Sequence, residues 1–291
     1  MGPMRNACWS TAGPSAYREF VPPAIGLHLL NAFATADRRG AARIARLAED
    51  LGYESLWVAD HVVLPAPRVE SSPLDPDAPL LDPLVSLAFL AAHTDRILLG
   101  TGCIVLPQRH PLILAKQLAG IDVLSEGRLI AGLAAGYLEP ELRALGVPPE
   151  ERGTRTAEFL RAMRALWEGD GQGFAGRHIS FQGVVAHPRP LQRPLPVIMG
   201  GHSTAALKRS VELADGWYGW MLGTRATADH LKVLRELSGG RRLHVSISPP
   251  RRATPDVVAA YADLGVDRLI LVPPLGLTLD DLAAFVKQHA P

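Results

Sequence analysis

The stretch ILLGTGCIVLPQRHPLILAKQLAGIDVLSEGRLIAGLAAGY, residues 97–137, decides the fold. It opens on one apolar run, Ile97 to Gly102, and closes on another, Arg128 to Ala135. Between them Ile113, Leu114, Gln117, Leu118 and Ile121 nearly repeat the i, i+3, i+4, i+7 stripe that lines one face of an α-helix. His110 ahead of Pro111 marks the helix start, because proline is tolerated in a first helical turn. Strand, helix and strand in this order make a βαβ unit. Its strands are almost wholly apolar, as parallel strands must be when helices cover one face and a packed interior fills the other.

Outward from this unit the same alternation continues. Ala24 to Leu30 and Ser55 to Asp60 precede it; Leu195 to Gly200, Gly216 to Trp220, Arg242 to Ser248 and Asp267 to Val272 follow. About eight strands result, the number a closed parallel barrel requires, so the expected fold is α/β, a single (β/α)8 barrel. Ile44, Leu47, Ala48 and Leu51 give a second amphipathic stripe. Asp82, Ser203, Thr254 and Thr278 supply helix caps, and Gly52 and Gly265 supply stops. Two segments break the rhythm and are candidates for function. Val62 to Leu81 carries five prolines after the second strand. Gly171 to Pro194 reads as a hairpin, RHISFQGVVAHP, followed by a proline-rich track. That segment is an insertion between the fourth helix and the fifth strand.

At 291 residues and 47% hydrophobic content the chain can bury a large core as one domain, placed at residues 24–291. Met1 to Pro23 lacks the apolar core of a signal peptide and reads as a poorly ordered extension. Thirty basic against 29 acidic side chains leave a charge of +1, so no global field draws the protein to nucleic acid or to an anionic membrane. The expected partner is a small molecule. Two isolated cysteines, Cys8 and Cys103, argue against a disulfide framework and a cysteine-based zinc site, which fits a cytoplasmic setting and no metal. No stretch offers the roughly 18 uninterrupted apolar residues of a membrane helix.

Four stretches carry a resemblance: SLWVADHV (55–62), the segment from Ile97 through LEPEL to Leu142, FQGVVAHPRPLQRPLPV (181–197) and IMGGHSTAALKRSVELADGWYGW (198–220). Their order and spacing resemble the luciferase-like monooxygenases, and within them the branch of deazaflavin (coenzyme F420)-dependent oxidoreductases. The resemblance implies a reduced deazaflavin cofactor, or FMN as the alternative, and a homodimer. It places Asp60 and His61 beside the tricyclic ring, at the strand end where barrel active sites are built. His61 is suited to proton transfer near neutral pH; its plainer reading is a strand-end histidine bonded to a loop. The family sets a non-proline cis peptide behind the central ring, and motif register puts it between Gly102 and Cys103. Arg109 can pair with a carboxylate or with the cofactor's anionic tail, while His110 reads as a cap. GLAAGYLEPEL departs from the family's Gly-x-Gly-Trp-x-x-x-Glu pattern. Ala134 stands at the first glycine, Gly136 at the second, Tyr137 at the tryptophan and Glu141 at the acidic position, assigned with His61 to catalysis. Glu139 reads as an exposed helix residue.

Gly200, Gly201, His202 and Ser203 join a strand to a helix start, where backbone N–H groups favour an anion; the family uses them for phosphate. A Gly-Gly turn with a serine cap is also an ordinary connection. Trp217 and Tyr218 read as core, and Trp220 as a substrate contact. Three functions follow: hydride transfer with F420, oxygenation with reduced FMN, and a non-catalytic cofactor-binding barrel.

Overall fold

A computed structural model describes residues 22–250 and 252–291; residues 1–21, most of the expected extension, lie outside the described residues. In chain order the first half runs β1 (Ala24–Leu27), α1 (Arg38–Asp50), β2 (Ser55–Val58), α2 (Pro83–Ala91), β3 (Leu98–Thr101), β4 (Ile104–Val105), α3 (Pro111–Leu124) and β5 (Leu129–Ala134). Two helices follow, α4 (Glu139–Ala144) and α5 (Arg152–Glu168), then the hairpin strands β6 (Phe174–Ala175) and β7 (Ser180–Phe181). The second half runs β8 (Val197–Gly200), α6 (Thr204–Leu213), β9 (Gly216–Gly219), α7 (Thr224–Ser238), β10 (His244–Ile247), α8 (Pro255–Leu264), β11 (Arg268–Leu271) and α9 (Leu279–Gln288).

The sheet order is β3-β2-β1-β11-β10-β9-β8-β5, and β3 also pairs with β5, which closes a parallel barrel of eight strands. β4 continues beyond β3 alongside β5, with Ile104 opposite Leu133 and Val105 opposite Ala134. All eight expected strands are present, each a little shorter than its apolar run. Alternation divides their side chains: Leu56, Val58, Leu269 and Leu271 pack outward under the helices. Trp57, Ile130, Ile198, Tyr218 and Ile270 form a separate cluster that fills the barrel. Below it the Arg268 Nε–H donates to Glu54 Oε2 at 2.7 Å, and the guanidinium lies 5.5 Å from the Trp57 ring centroid. The floor is thus plugged by a paired charge, and the open end is left to the loops after the strands.

Local chemistry explains most helix starts. Asp37, Asp82, Ser203 and Thr278 accept backbone N–H groups of the first turns of α1, α2, α6 and α9. His110 and Thr254 hold the cap positions of α3 and α8 but make no capping hydrogen bond, so the pre-set φ of Pro111 and Pro255 starts those helices. Ile113, expected on the buried stripe of α3, points outward and is 60% exposed. The hairpin in the insertion also lies earlier than expected. Phe174–Ala175 pairs with Ser180–Phe181, and Arg177 and His178 form its turn, because Glu158 on α5 accepts the N–H groups of His178 and Ile179. The proline-rich track after it is fastened by Asp122 of α3, which accepts the N–H groups of Leu191 and Gln192. No described helix is long and apolar enough to cross a membrane.

Candidate active site

The strands are parallel, so the connections after β1, β2, β4, β5, β8 and β9 all open at one end of the barrel. The best-defined polar group there joins β2 to α4. His61 Nδ1 lies 2.9 Å from Glu141 Oε2, and Glu141 Oε1 accepts the Val62 N–H at 2.6 Å. Glu141 sits in the first turn of α4 and is 2% exposed. Burial pushes its carboxyl up, but the hydrogen bond and charge of His61 and the Val62 N–H outweigh this and hold it below the ordinary carboxylate range. An ionised Glu141 fixes the proton on Nδ1 of His61. Nε2 has no hydrogen-bond partner among the described residues, so it is the nitrogen that can exchange a proton.

Asp60, one residue earlier, faces a different structure. Arg109 grips it from both guanidinium nitrogens, at 2.6 Å to Oδ2 and 2.8 Å to Oδ1, and the Val105 N–H donates to Oδ2 at 2.8 Å. Arg109 also reaches Asp82 Oδ2 at 3.2 Å. Burial pushes the Asp60 carboxyl up against the pull of the guanidinium. Of the two roles expected for Arg109, pairing with a carboxylate is the one the geometry displays. Through Asp60 and Asp82, Arg109 ties the ends of β2 and β4 to the start of α2.

The peptide between Gly102 and Cys103 is cis, as expected. Its neighbour is a histidine that sequence reasoning passed over. His28 follows β1 and is 1% exposed. Its Nδ1 accepts the Leu29 N–H at 2.8 Å, which leaves the proton on Nε2, 3.2 Å from the Gly102 carbonyl oxygen. Burial pulls its pKa down to about 4, against the raising effect of that carbonyl. A buried imidazole interrupting an apolar strand was the available signal, since such a group needs partners. Burial, with lesser effects from its neighbours, pushes the Cys103 thiol up to about 12, so it is no nucleophile.

The remaining expected residues surround this centre. Gly136 adopts φ +80°, and a Cβ there would meet Val105 Cγ1 at 2.6 Å, so it turns the chain into α4. Tyr137 is 57% exposed with its ring edge-on to His61 at 6.1 Å. Glu139 is exposed and pairs with Arg143 at 3.4 Å. A Cβ on Gly200 would meet Cys103 Sγ at 2.9 Å, which brings the glycine turn against the cis peptide; Gly201 holds φ +126°. Ser203 caps α6 through Ala206 N–H. Nε2 of the exposed His202 accepts the Trp220 N–H at 3.1 Å. Trp217 and Tyr218 are buried, and the half-exposed Trp220 ring lies 5.1 Å from His28. Tyr218 reaches Ser248 Oγ at 2.6 Å from inside the barrel. Among the described residues no group of three or more His, Cys, Asp or Glu is arranged to hold a metal ion.

A family model described as luciferase-like monooxygenase matches residues 9–266. A relative from Mycobacterium tuberculosis, itself described as uncharacterized, is 35% identical over 265 residues, covering 86% of this chain and 92% of that one. An FMNH2-dependent dimethylsulfone monooxygenase of Pseudomonas putida is 33% identical over 136 residues, 44% of this chain and 38% of its own. Among solved structures, a monooxygenase from Streptomyces bottropensis superimposes with a TM-score of 0.74 at 21% identity, covering 91% of this chain and 98% of that one. A coenzyme F420-dependent tetrahydromethanopterin reductase from Methanopyrus kandleri gives 0.71 at 18% identity, covering 93% and 99%. These two likenesses carry the fold.

Proposed function

The chain belongs to the luciferase-like monooxygenase family, and from that premise we propose that it transfers hydride between coenzyme F420 and a small organic substrate in the cytoplasm. The observation that carries this reading is the His61–Glu141 pair at the barrel mouth, next to a glycine turn drawn in against Cys103. The residues fit such a cofactor. The Gly200–Gly201 turn lets backbone approach closely, and the start of the ten-residue α6 offers N–H groups to a phosphate. When bound, the deazaflavin supplies the carbon that gives or takes hydride. Glu141 holds the Nδ1–H of His61, so Nε2 delivers the proton that accompanies hydride to a substrate carbonyl, imine or alkene. In the reverse direction Nε2 takes that proton. Asp60 and Arg109, paired with each other, take no part in proton transfer.

Oxygenation with reduced FMN is a second reading, favoured by the likeness to the Pseudomonas putida enzyme. A homodimer is proposed through α2 and α3, where Val85, Ile113 and Leu124 stand 60–67% exposed on helices that are apolar over much of their surface. Titration of the protein with each reduced cofactor, followed by absorbance, tests the function. We expect saturable binding of reduced F420, and its oxidation on adding acceptor without oxygen uptake. Tight binding of FMN with none of F420 overturns the proposal in favour of the second reading.

A further inference from the structure

The loops at the active end carry a chemical bias beyond the choice of cofactor. Val62 and Val63 follow β2, Tyr137 follows β5, Trp220 and Met221 follow β9, and Leu275 follows β11; all six side chains are 39–57% exposed. These are six of the thirteen exposed large apolar side chains of the described residues, and their convergence from four separate connections on the end that holds His61 and His28 marks a binding surface. Two of them flank the imidazoles of the site, Tyr137 edge-on to His61 and Trp220 against His28.

The cations nearest the His61–Glu141 pair are already committed to carboxylates. All four lysines, Lys116, Lys208, Lys232 and Lys287, lie within α3, α6, α7 and α9 and not on the connections at the mouth. Arg109, the cation built into the site, is matched by Asp60 and Asp82, and Arg68 in the loop after β2 is paired with Asp75 at 2.7 Å. Arg225 lines a cavity of about 600 Å³ with Asp229, Pro249, Pro250 and Tyr261, while Arg38 and Arg39 at the start of α1 and Arg252 ahead of α8 are exposed. Among the described residues the His61–Glu141 pair carries no net positive charge in either protonation state of His61 and Arg109 is already paired, so an anionic substrate reaching His61 would leave water without a net counter-charge there and would meet the buried Glu141 carboxylate. Both effects are unfavourable.

We infer that the substrate of this mouth is a small neutral molecule with an apolar body, received by the rim of Val62, Val63, Tyr137, Trp220, Met221 and Leu275. The inference rests on the redox reading of the site but is tested apart from it. Cinnamamide and cinnamate share a carbon skeleton and differ in charge. Calorimetry on the full-length protein without added cofactor should show cinnamamide binding about tenfold or more tightly than cinnamate. Trp220→Ala should weaken cinnamamide by about tenfold. Val63→Lys, at an exposed loop position, should move the preference towards cinnamate. Equal or tighter binding of cinnamate to the unmodified protein overturns the inference. So does failure of both to bind, an unchanged cinnamamide affinity in Trp220→Ala, or an unchanged preference in Val63→Lys. None of these readouts depends on which cofactor the protein takes, so this inference and the redox reading fail separately.

Discussion

The mouth of the barrel has two unlike halves. On the side of β2, β4 and β5 the buried charges come in pairs, Asp60 with Arg109 and Glu141 with His61. On the side of β1, β8 and β9 the polar groups are neutral: His28 donates to a carbonyl, His202 accepts from a backbone N–H, and Trp220 lies between them. The two histidines have opposite constraints. His61 is bonded to the Glu141 carboxylate at 2.9 Å; His28 has only a carbonyl and is buried too deeply to take a proton near neutrality. In the proposed reaction one half moves the proton and the other gives a fixed, uncharged wall.

The largest expected effect follows from that division. His61→Asn keeps a polar side chain beside Glu141 but removes the exchangeable nitrogen, and should lower turnover about 10²–10⁴-fold, the usual worth of a positioned acid or base. Cofactor affinity should be largely unchanged. Measured turnover within a fewfold of the unmodified protein would remove the proton from the charged half altogether.

The second effect is on stability. Arg109→Ala strands the Asp60 carboxylate among buried atoms, and loss of one partner of a buried pair costs about 3–5 kcal/mol. Denaturant midpoints at pH 7 measure it. A loss below about 1 kcal/mol, the scale of an exposed pair, would mean that solvent reaches Asp60 and that the charged half is less enclosed than the geometry indicates.

Much of this architecture was legible in the sequence, and what was not has a physical reason. The strands announced themselves because a parallel barrel demands apolar runs, and Asp82 and Ser203 announced helix starts through local chemistry. The motif register located the Gly102–Cys103 cis peptide. Pairings between distant residues carry no local trace: Asp60 and Arg109 are separated by 49 positions, His61 and Glu141 by 80. Both acids and Arg109 were singled out from the resemblance, yet which side chain grips which depends on how the strands are ordered around the barrel. His28 was hidden for another reason. It lies in an apolar run that reads as strand, and its role depends on a carbonyl 74 residues away.

His28 also provides the finest test of the neutral half. Its folded pKa, about 4, lies below the ordinary 6.5, so between these values the unfolded chain binds a proton that the folded chain refuses. Stability must then fall as pH drops from 6.5 towards 4, by up to about 3 kcal/mol, and this ring contributes no pH dependence above that window. His244, which burial first and then nearby arginines push down to about 3, adds a slope of the same sign. His28→Gln should therefore make the acid limb shallower without abolishing it. Urea midpoints between pH 7.5 and 4.5 measure the difference. Parallel curves for the two proteins would mean that His28 takes up its proton without cost in the fold, and the wall it forms with Trp220 would then be as chargeable as the half it faces.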